Sequence, residues 1–453
     1  MDIIKLLSVL SQCLDGPSLR QLTVIVTAML TMTGRVTMLG LSRWTEKGGS
    51  YRSIQRFYNT VIPWGMVLWL VFSTYLYRPG DEYALVGDES IVTKAGKITY
   101  GLDRFFSSIF GKPVRGLAFF ALSVVSVGER KSYPLQVEQV VRRDEEKAAA
   151  QPKKAKKAPK KGKSGPKAGQ AGRPKGRKNQ DKRTIDWTPE LRQIASMATT
   201  LLKRINPLCA IRYLILDGHF GNNNVTQMVR QSLSLHIVSK LRHDSALYFR
   251  YDGPQKAAGA KKRYGAKIDY DQIPAQYLVQ STLQDGVQTD IYQATMLHKS
   301  FADPLNVVIL VKTNLATHKK AHVVLFSSDL ALAYDKLIDF YRLRFQIEFN
   351  FRDAKQFWGF EDFMNVKQTP VTNAVGLAFL LVNLSQVLLA HFRPQIPSFS
   401  VLDLKALFRT RRYAREALKL LPDSPDPILI AQLLESMPPL GAIHSVPAFT
   451  TNP

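Results

Sequence analysis

Three carboxylates, each set in a distinctive stretch, carry the chemistry this sequence can perform. Asp88 lies inside YALVGDESIV (83–92), Asp217 ends AIRYLILD (210–217), and Glu348 sits in YRLRFQIEFNFRDAK (341–355) among aromatics, arginines and a lysine. An acid at the carboxyl end of a strand commonly lines the crevice of an α/β sheet. Taken singly, such an Asp is as often a turn or helix cap. Glu89 is an alternative acid beside Asp88, although the period-2 alternation of a strand points it to the other face. Around the third acid, Tyr341, Arg344, Glu348 and Lys355 are separated by 3, 4 and 7 residues. At about 100° per residue this spacing sets them on one helical stripe. Arg352 and Phe345 fall near that stripe, whereas Phe349 and Phe351 project elsewhere, into packing. By itself the stripe is equally a salt-bridge ladder on a solvated helix face. Three acids on separate elements open a second reading. Carboxylate oxygens are ligands that Mg²⁺ prefers, and phosphodiester cleavage uses two divalent cations about 4 Å apart. Cations beside the third acid would then hold the substrate's phosphates.

The elements that position these residues show as changes of texture along 453 residues, enough chain for two or three cored domains. Residues 1–80 read as a helical region, with apolar stretches at 19–40 and 60–77. Residues 81–244 carry short β-rich runs, then a helix, the strand ending at Asp217 and a further strand, LHIVSKL (235–241). Within them, segment 147–183 holds fifteen Lys/Arg against one acid, Asp181, and cannot bury enough surface to order itself. Residues 245–330 form a polar, Gly-containing β-rich insert with strands expected at 289–297, 305–312 and 321–327. A long helix is expected over about 331–358 within a 331–394 unit, and 395–453 reads as helices separated by prolines. No internal repeat is visible. The pattern predicts a mixed α/β core. The net charge of +26 points to a polyanion, nucleic acid first and an anionic membrane surface second. The two cysteines, Cys13 and Cys209, give neither a metal spacing nor a disulfide framework, which suits a reducing cytosol. An acid at position 2 and the lack of a basic n-region argue against a secretory signal. Two near-membrane-length runs, 60–77 and 375–392, are interrupted by Pro63 and by Asn383, Ser385 and Gln386, and read as buried helices.

With these residues in place, the chain resembles the DDE insertion-sequence transposases that carry the Y-(2)-R-(3)-E-(6)-K signature, the hairpin-forming cut-and-paste family. Tyr341, Arg344, Glu348 and Lys355 fit that signature without a gap, and the order Asp88, Asp217, β-rich insert, Glu348 fits as well. The likeness covers most of the chain, and the basic segment 147–183 departs from it. It implies an RNase H-like catalytic core interrupted by a β-rich insertion, with helical N-terminal and C-terminal regions. It implies Asp88, Asp217 and Glu348 as catalytic metal ligands, with Mg²⁺ as cofactor and Mn²⁺ as a substitute. Activated water would nick the end of a mobile element; the freed 3′-hydroxyl would attack the opposite strand to give a hairpin and, after opening, attack target DNA. Tyr341, Arg344 and Lys355 would grip phosphates beside the cleaved end, and the insert would hold the flipped base or hairpin. The same likeness implies a homodimer synapsing two ends of double-stranded DNA, cytoplasmic and nucleoid-associated in a bacterium, with no membrane partner. Two rivals stand beside this reading: a nuclease of the same fold that cleaves without strand transfer, and a catalytically silent DNA-binding protein.

Other residues invite weaker readings. GRPKGRK (172–178) resembles a single AT-hook, whose Arg173, Lys175 and Arg177 would enter a narrow minor groove; a plain polybasic tether acting through counterion release is the alternative. Arg52, Arg56 and Tyr58 are candidate contacts to an element end, and Lys240, Arg242 and His243 follow a strand expected near Asp217. Lys94 and Lys97 lie just after Asp88. His219, His236 and His243 lack zinc-site spacing, and GHFGNNN reads as a turn with an Asn cap in place of a nucleotide cradle. Trp358 is expected to pack at a helix end.

Overall fold

The computed structural model describes residues 2–45, 48–107, 110–142, 181–421 and 426–444. Most of the basic segment, with Arg173, Lys175 and Arg177, lies outside the described residues. The chain opens with α1 (Ile3–Leu7), α2 (Gly16–Thr31), α3 (Met38–Trp44), α4 (Tyr51–Asn59) and α5 (Trp64–Val71), the last running into a π turn at Phe72–Leu76. Side chains of Asp15, Thr37 and Ser50 accept from Ser18, Gly40 and Ser53 amides, each satisfying a donor that a helix start leaves orphaned. On α4 the apolar spacing buries Ile54, Phe57 and Tyr58, and leaves Arg52 and Arg56 exposed. Tyr58 is only 3% exposed, so the expectation that it touches DNA is corrected: its ring belongs to the core.

Four strands follow: β1 (Tyr83–Thr93), β2 (Asp103–Ser107), β3 (Lys112–Ser126) and β4 (Lys131–Val140). Next come α6 (Pro189–Ile205), β5 (Tyr213–Leu216), α7 (Asn223–Leu233) and β6 (His236–Leu241). Strands β7 (Leu247–Arg250), β8 (Tyr264–Lys267), β9 (Leu278–Gln284), β10 (Val287–His298), β11 (Leu305–Asn314) and β12 (Lys320–Ser327) occupy the stretch read as an insert. All twelve share one sheet of order β2-β3-β1-β5-β6-β12-β11-β10-β7-β8, with β4 on β3 and β9 on β10. The β1–β5 and β5–β6 pairs are parallel, and β12 joins β6 antiparallel, so strands from the insert stretch continue the core sheet. The fold is a mixed α/β architecture.

Five helices close the chain: α8 (Tyr334–Leu343), α9 (Gln346–Trp358), α10 (Gln368–Phe392), α11 (Val401–Leu418) and α12 (Pro427–Ser436). The single helix expected over 331–358 is two. Amides of Phe345, Ile347 and Glu348 bond three residues back, to Arg342, Arg344 and Phe345, which tightens the backbone into a 3₁₀ turn between α8 and α9. α10 is long and apolar enough to cross a membrane by composition, yet 78% of its most apolar stretch is buried against the protein, as expected of a core helix.

Three contacts lock the helical ends onto this centre. Asn373 of α10 accepts from the Trp64 indole at 2.8 Å and donates to Tyr58 O and Thr60 O, capping the end of α4. Trp64 lies so close over Gly376 that a Cβ there would stand 2.1 Å from the ring. Lys405 of α11, 9% exposed, sends its ammonium to Met29 O of α2 at 3.1 Å and Phe357 O of α9 at 3.2 Å. A cation there meets the negative ends of two helices and lies over the Trp358 ring, which packs at the end of α9.

Burial lowers the Lys405 ammonium to about 8 from 10.5. Between those values the unfolded chain binds more protons than the folded one, so this lysine's contribution to stability is present above about 10.5 and lost as pH falls through about 8. Chemical denaturation of wild type and Lys405→Met across that range should show wild type gaining on the variant with rising pH, by up to about 3 kcal/mol at 1.36 kcal/mol per unit. A pH-independent difference would show that the ammonium is not the cause.

Candidate active site

The parallel pairing of β1 and β5 fixes the first two acids. Gly87 is in register with Leu216, so the next residues, Asp88 and Asp217, emerge side by side where β5 ends and its pairing with β1 stops, while β1 itself runs on to Thr93; neighbouring strands run about 4.8 Å apart. Gly87 permits that closeness: a Cβ there would meet Phe120 at 2.7 Å and Leu216 at 2.9 Å. Beyond Asp217 the chain turns sharply. Asp217 Oδ1 accepts the His219 amide at 3.0 Å, its carbonyl accepts Ser239 Oγ at 2.8 Å, and Asn222 caps α7 by accepting from Val225. GHFGNNN is thus a turn with an Asn cap, and Asp217 is both a turn cap and a cleft residue. Gly221 is required there, since a Cβ would fall 2.2 Å from Lys240 O.

Glu348 arrives from the first turn of α9, and one guanidinium joins it to the sheet. Arg344 donates to Asp88 Oδ2 at 2.9 Å and to Glu348 Oε1 at 2.8 Å. Asp88 Oδ1 accepts the Glu89 amide at 2.8 Å. Burial, opposed by Arg344 and assisted by Asp217 and Glu348, pushes the Asp88 carboxyl up to about 6. Burial weakens the Arg344 cation, but Asp88, Tyr341 and Glu348 more than offset this and hold it above its ordinary value. Tyr341, half-buried, lies with its ring 5.9 Å from that guanidinium, and burial raises its hydroxyl. Lys355 donates to Ile91 O at 3.0 Å and pairs with Glu361 at 3.0 Å, tying α9 to the end of β1.

Asp88, Asp217, Arg344, Glu348 and Lys355 line one cleft of about 1140 Å³. Glu89 lines it too. Alternation does send Glu89 to the other face of β1, towards Glu190, Arg142 and His219, but both faces of β1 at this point open into the same space. Burial, then repulsion from Glu190, raises Glu89 to about 7. An aromatic rim of Tyr100, Phe105, Phe106 and Phe351 was not expected from the sequence; β2, which bears Phe105 and Phe106, is a five-residue strand without the long apolar run that marks its neighbours.

The other candidates lie elsewhere. Arg352 pairs with Asp353 at 2.8 Å, stacks over Phe349 and does not line the cleft. Arg242 pairs with Asp244 at 3.1 Å on the surface, and Lys240 lies half-buried behind the Gly221 turn. Lys94 is structural: it donates to Glu361 O and Phe363 O and lies over the Phe363 ring, 3.6 Å from its centroid. No residue of 245–330 lines the cleft.

The chain belongs to a family: the DDE superfamily endonucleases match residues 9–303. That span contains Asp88 and Asp217 and ends before Glu348, which is tied to the other two by the geometry above. The chain matches no curated protein. Membership makes this a nuclease-type protein acting on DNA, in a superfamily that generally uses divalent metals.

The donor set fits such a cation. Three carboxylates crowd one cleft, their mutual repulsion helps raise Asp88, and oxygen ligands are those Mg²⁺ selects. Among the described residues no three acid, histidine or cysteine side chains already stand at ligand spacing. In this arrangement the cation between Asp88 and Glu348 is Arg344.

Gly87 tests how tightly the site depends on its packing. Gly87→Ala should lower the unfolding midpoint, by the order of 1–3 kcal/mol expected of an overpacked core, and reduce metal-dependent nicking by displacing Asp88 from Asp217. A variant of wild-type stability and activity would mean the strands separate without consequence.

Proposed function

We propose that this protein is a DNA transposase: it cleaves DNA at the ends of a mobile element with divalent metal and joins the freed ends to target DNA. The observation that carries the reading is the convergence of Asp88, Asp217 and Glu348 from a strand, a neighbouring parallel strand and a helix onto one cleft. Two further features support it. The order β4-β3-β1-β5-β6, antiparallel on one side of β1 and parallel on the other, supports the reading of an RNase H-like core. Tyr341, Arg344, Glu348 and Lys355 keep the Y-R-E-K spacing despite the 3₁₀ turn between them.

In this reading Asp88, Asp217 and Glu348 hold the metal. When bound there, divalent cations supply a lowered water pKa and Lewis-acid stabilisation of the leaving oxygen. Arg344 and Lys355 face a scissile phosphate placed between the acids, and Tyr341 supports Arg344 through its ring. A 3′-hydroxyl released by the first cut lies beside the same acids, so one site serves nicking, hairpin formation and attack on target. The unit 245–330 acts as an insertion, and a homodimer brings two ends together. Exposed Arg52 and Arg56 on α4 present cations to an element end.

Mg²⁺-dependent cleavage of DNA bearing the element's ends, comparing wild type with Asp88→Asn, Asp217→Asn and Glu348→Gln, tests the site: each variant should lose nicking by at least about 100-fold, and near-normal nicking by any would remove that residue from it. Joining of labelled 3′ ends to a plasmid separates a transposase from a nuclease that only cleaves. Deleting 147–183 should weaken DNA binding and flatten its salt dependence, since each phosphate contact adds about 0.9 to the slope. Cleavage on saturating DNA should survive; its complete loss would contradict a tether role.

A further inference from the structure

We propose that Arg344 is an exchangeable counter-ion, held by Asp88 and Glu348 until DNA takes it, so that metal and DNA bind this protein cooperatively. The inference rests on the reading of the three acids as metal ligands and adds what controls their availability. Arg344 uses two separate nitrogens on two acids from different elements, at 2.9 and 2.8 Å. Its side chain is 16% exposed and that of Asp88 is 19% exposed, so the pair is shielded from solvent. A cation entering between Asp88 and Glu348 must therefore displace a guanidinium from the oxygens it needs. Because the guanidinium also cancels one of the three negative charges, its departure strengthens the field on an incoming cation.

The displaced group has a natural acceptor. The planar fork that matches a carboxylate matches a phosphate in the same bidentate manner. Arg344 stands at the 3₁₀ turn between α8 and α9, where its own amide bond to Phe340 O is long at 3.3 Å, and tight turns of this kind within helices often mark hinges. Lys355 is not a substitute, since it is anchored to Ile91 O and Glu361 outside the Asp88–Glu348 gap. A backbone phosphate drawn into the cleft takes the fork, and the two carboxylates are released to the metal. Linkage makes the effect reciprocal: whatever factor DNA adds to metal affinity, metal adds to DNA affinity. Without DNA the protein keeps its acids occupied and holds metal poorly.

The test is Mn²⁺ affinity, read from the electron paramagnetic resonance signal of free Mn²⁺, with and without a saturating blunt-ended 30-base-pair duplex, and corrected for Mn²⁺ bound by the duplex alone. For wild type the duplex should tighten Mn²⁺ by about tenfold, within the usual 5–150-fold range of such couplings. Arg344→Gln should bind Mn²⁺ about tenfold more tightly than wild type without DNA, and the duplex should add little. Arg344→Lys, which keeps the charge but cannot span both acids, should fall between them and serves if the glutamine variant folds poorly by circular dichroism. If Arg344→Gln binds no tighter than wild type while Asp88→Asn and Glu348→Gln lose Mn²⁺, the exchange is overturned and the metal site stands. If Asp88→Asn and Glu348→Gln bind Mn²⁺ as wild type does, both the exchange and the metal-site reading fall.

Discussion

Burial of a carboxylate close to other acids is the constraint around which this cleft is arranged. Asp88, Asp217 and Glu348 are drawn to one cleft by a parallel strand pair and a helix start, and burial opposes ionisation of Asp88. One guanidinium balances them. Its position follows from the 3₁₀ turn at 344–345, which brings Arg344 and Glu348 within hydrogen-bonding distance while the fork still reaches β1. Leaving buried carboxylates unpaired is costly, so the same contact that organises the site also stabilises the seam between the sheet and α9.

The surrounding helices serve that seam. α9 packs its apolar side, Ile347, Phe351 and Ala354, against the sheet and α10, and buried Asn350 donates to Ser123 of β3 and Ser132 of β4. Lys405 then draws the ends of α2 and α9 onto α11. Further out, buried Asp403 accepts from Ser400, Ile443 and His444 and pins the last described residues to α11. The three acids of the cleft are thereby held by elements drawn from nearly the whole described chain.

Much of this is legible in the sequence because it rests on local rules. Asp217 follows from an apolar run that stops at it, and the approach of Arg344, Glu348 and Lys355 to one cleft follows from their helical periodicity, whereas Asp88 lies mid-strand and Tyr341, before the break, does not line the cleft. The break between α8 and α9 is invisible to that periodicity, since a single 3₁₀ turn barely shifts the apolar pattern. Tyr58 reads as a surface residue beside Arg56 only if its neighbour is weighed above its period; its i+4 spacing from Ile54 sets it on the buried face of α4. Arg352 is close to the stripe in angle, yet Asp353 and Phe349 hold it outside the cleft. Phe106 and Lys405 depend on tertiary neighbours alone, and nothing local marks them; Glu89 stands out as an acid beside Asp88, but alternation does not show that its face opens into the same cleft. The family match and the mixed α/β fold agree with the sequence reading, while the proposed strand transfer and dimerisation belong to a complex with DNA, which residue spacing in one chain does not display.

Gly359 closes α9 in a left-handed conformation, φ +74°, with the β-carbon position filled by Val36, whose Cβ would lie 2.3 Å away. Three residues later Asp362 accepts the Val36 amide at 2.9 Å and pairs with Arg35. The N-terminal helices are therefore moulded onto α9 with no spacer between them. A replaced N-terminal region would need a matching surface at 359–362, so the shape of that region and the seating of the helix that carries Glu348 are bound to change together.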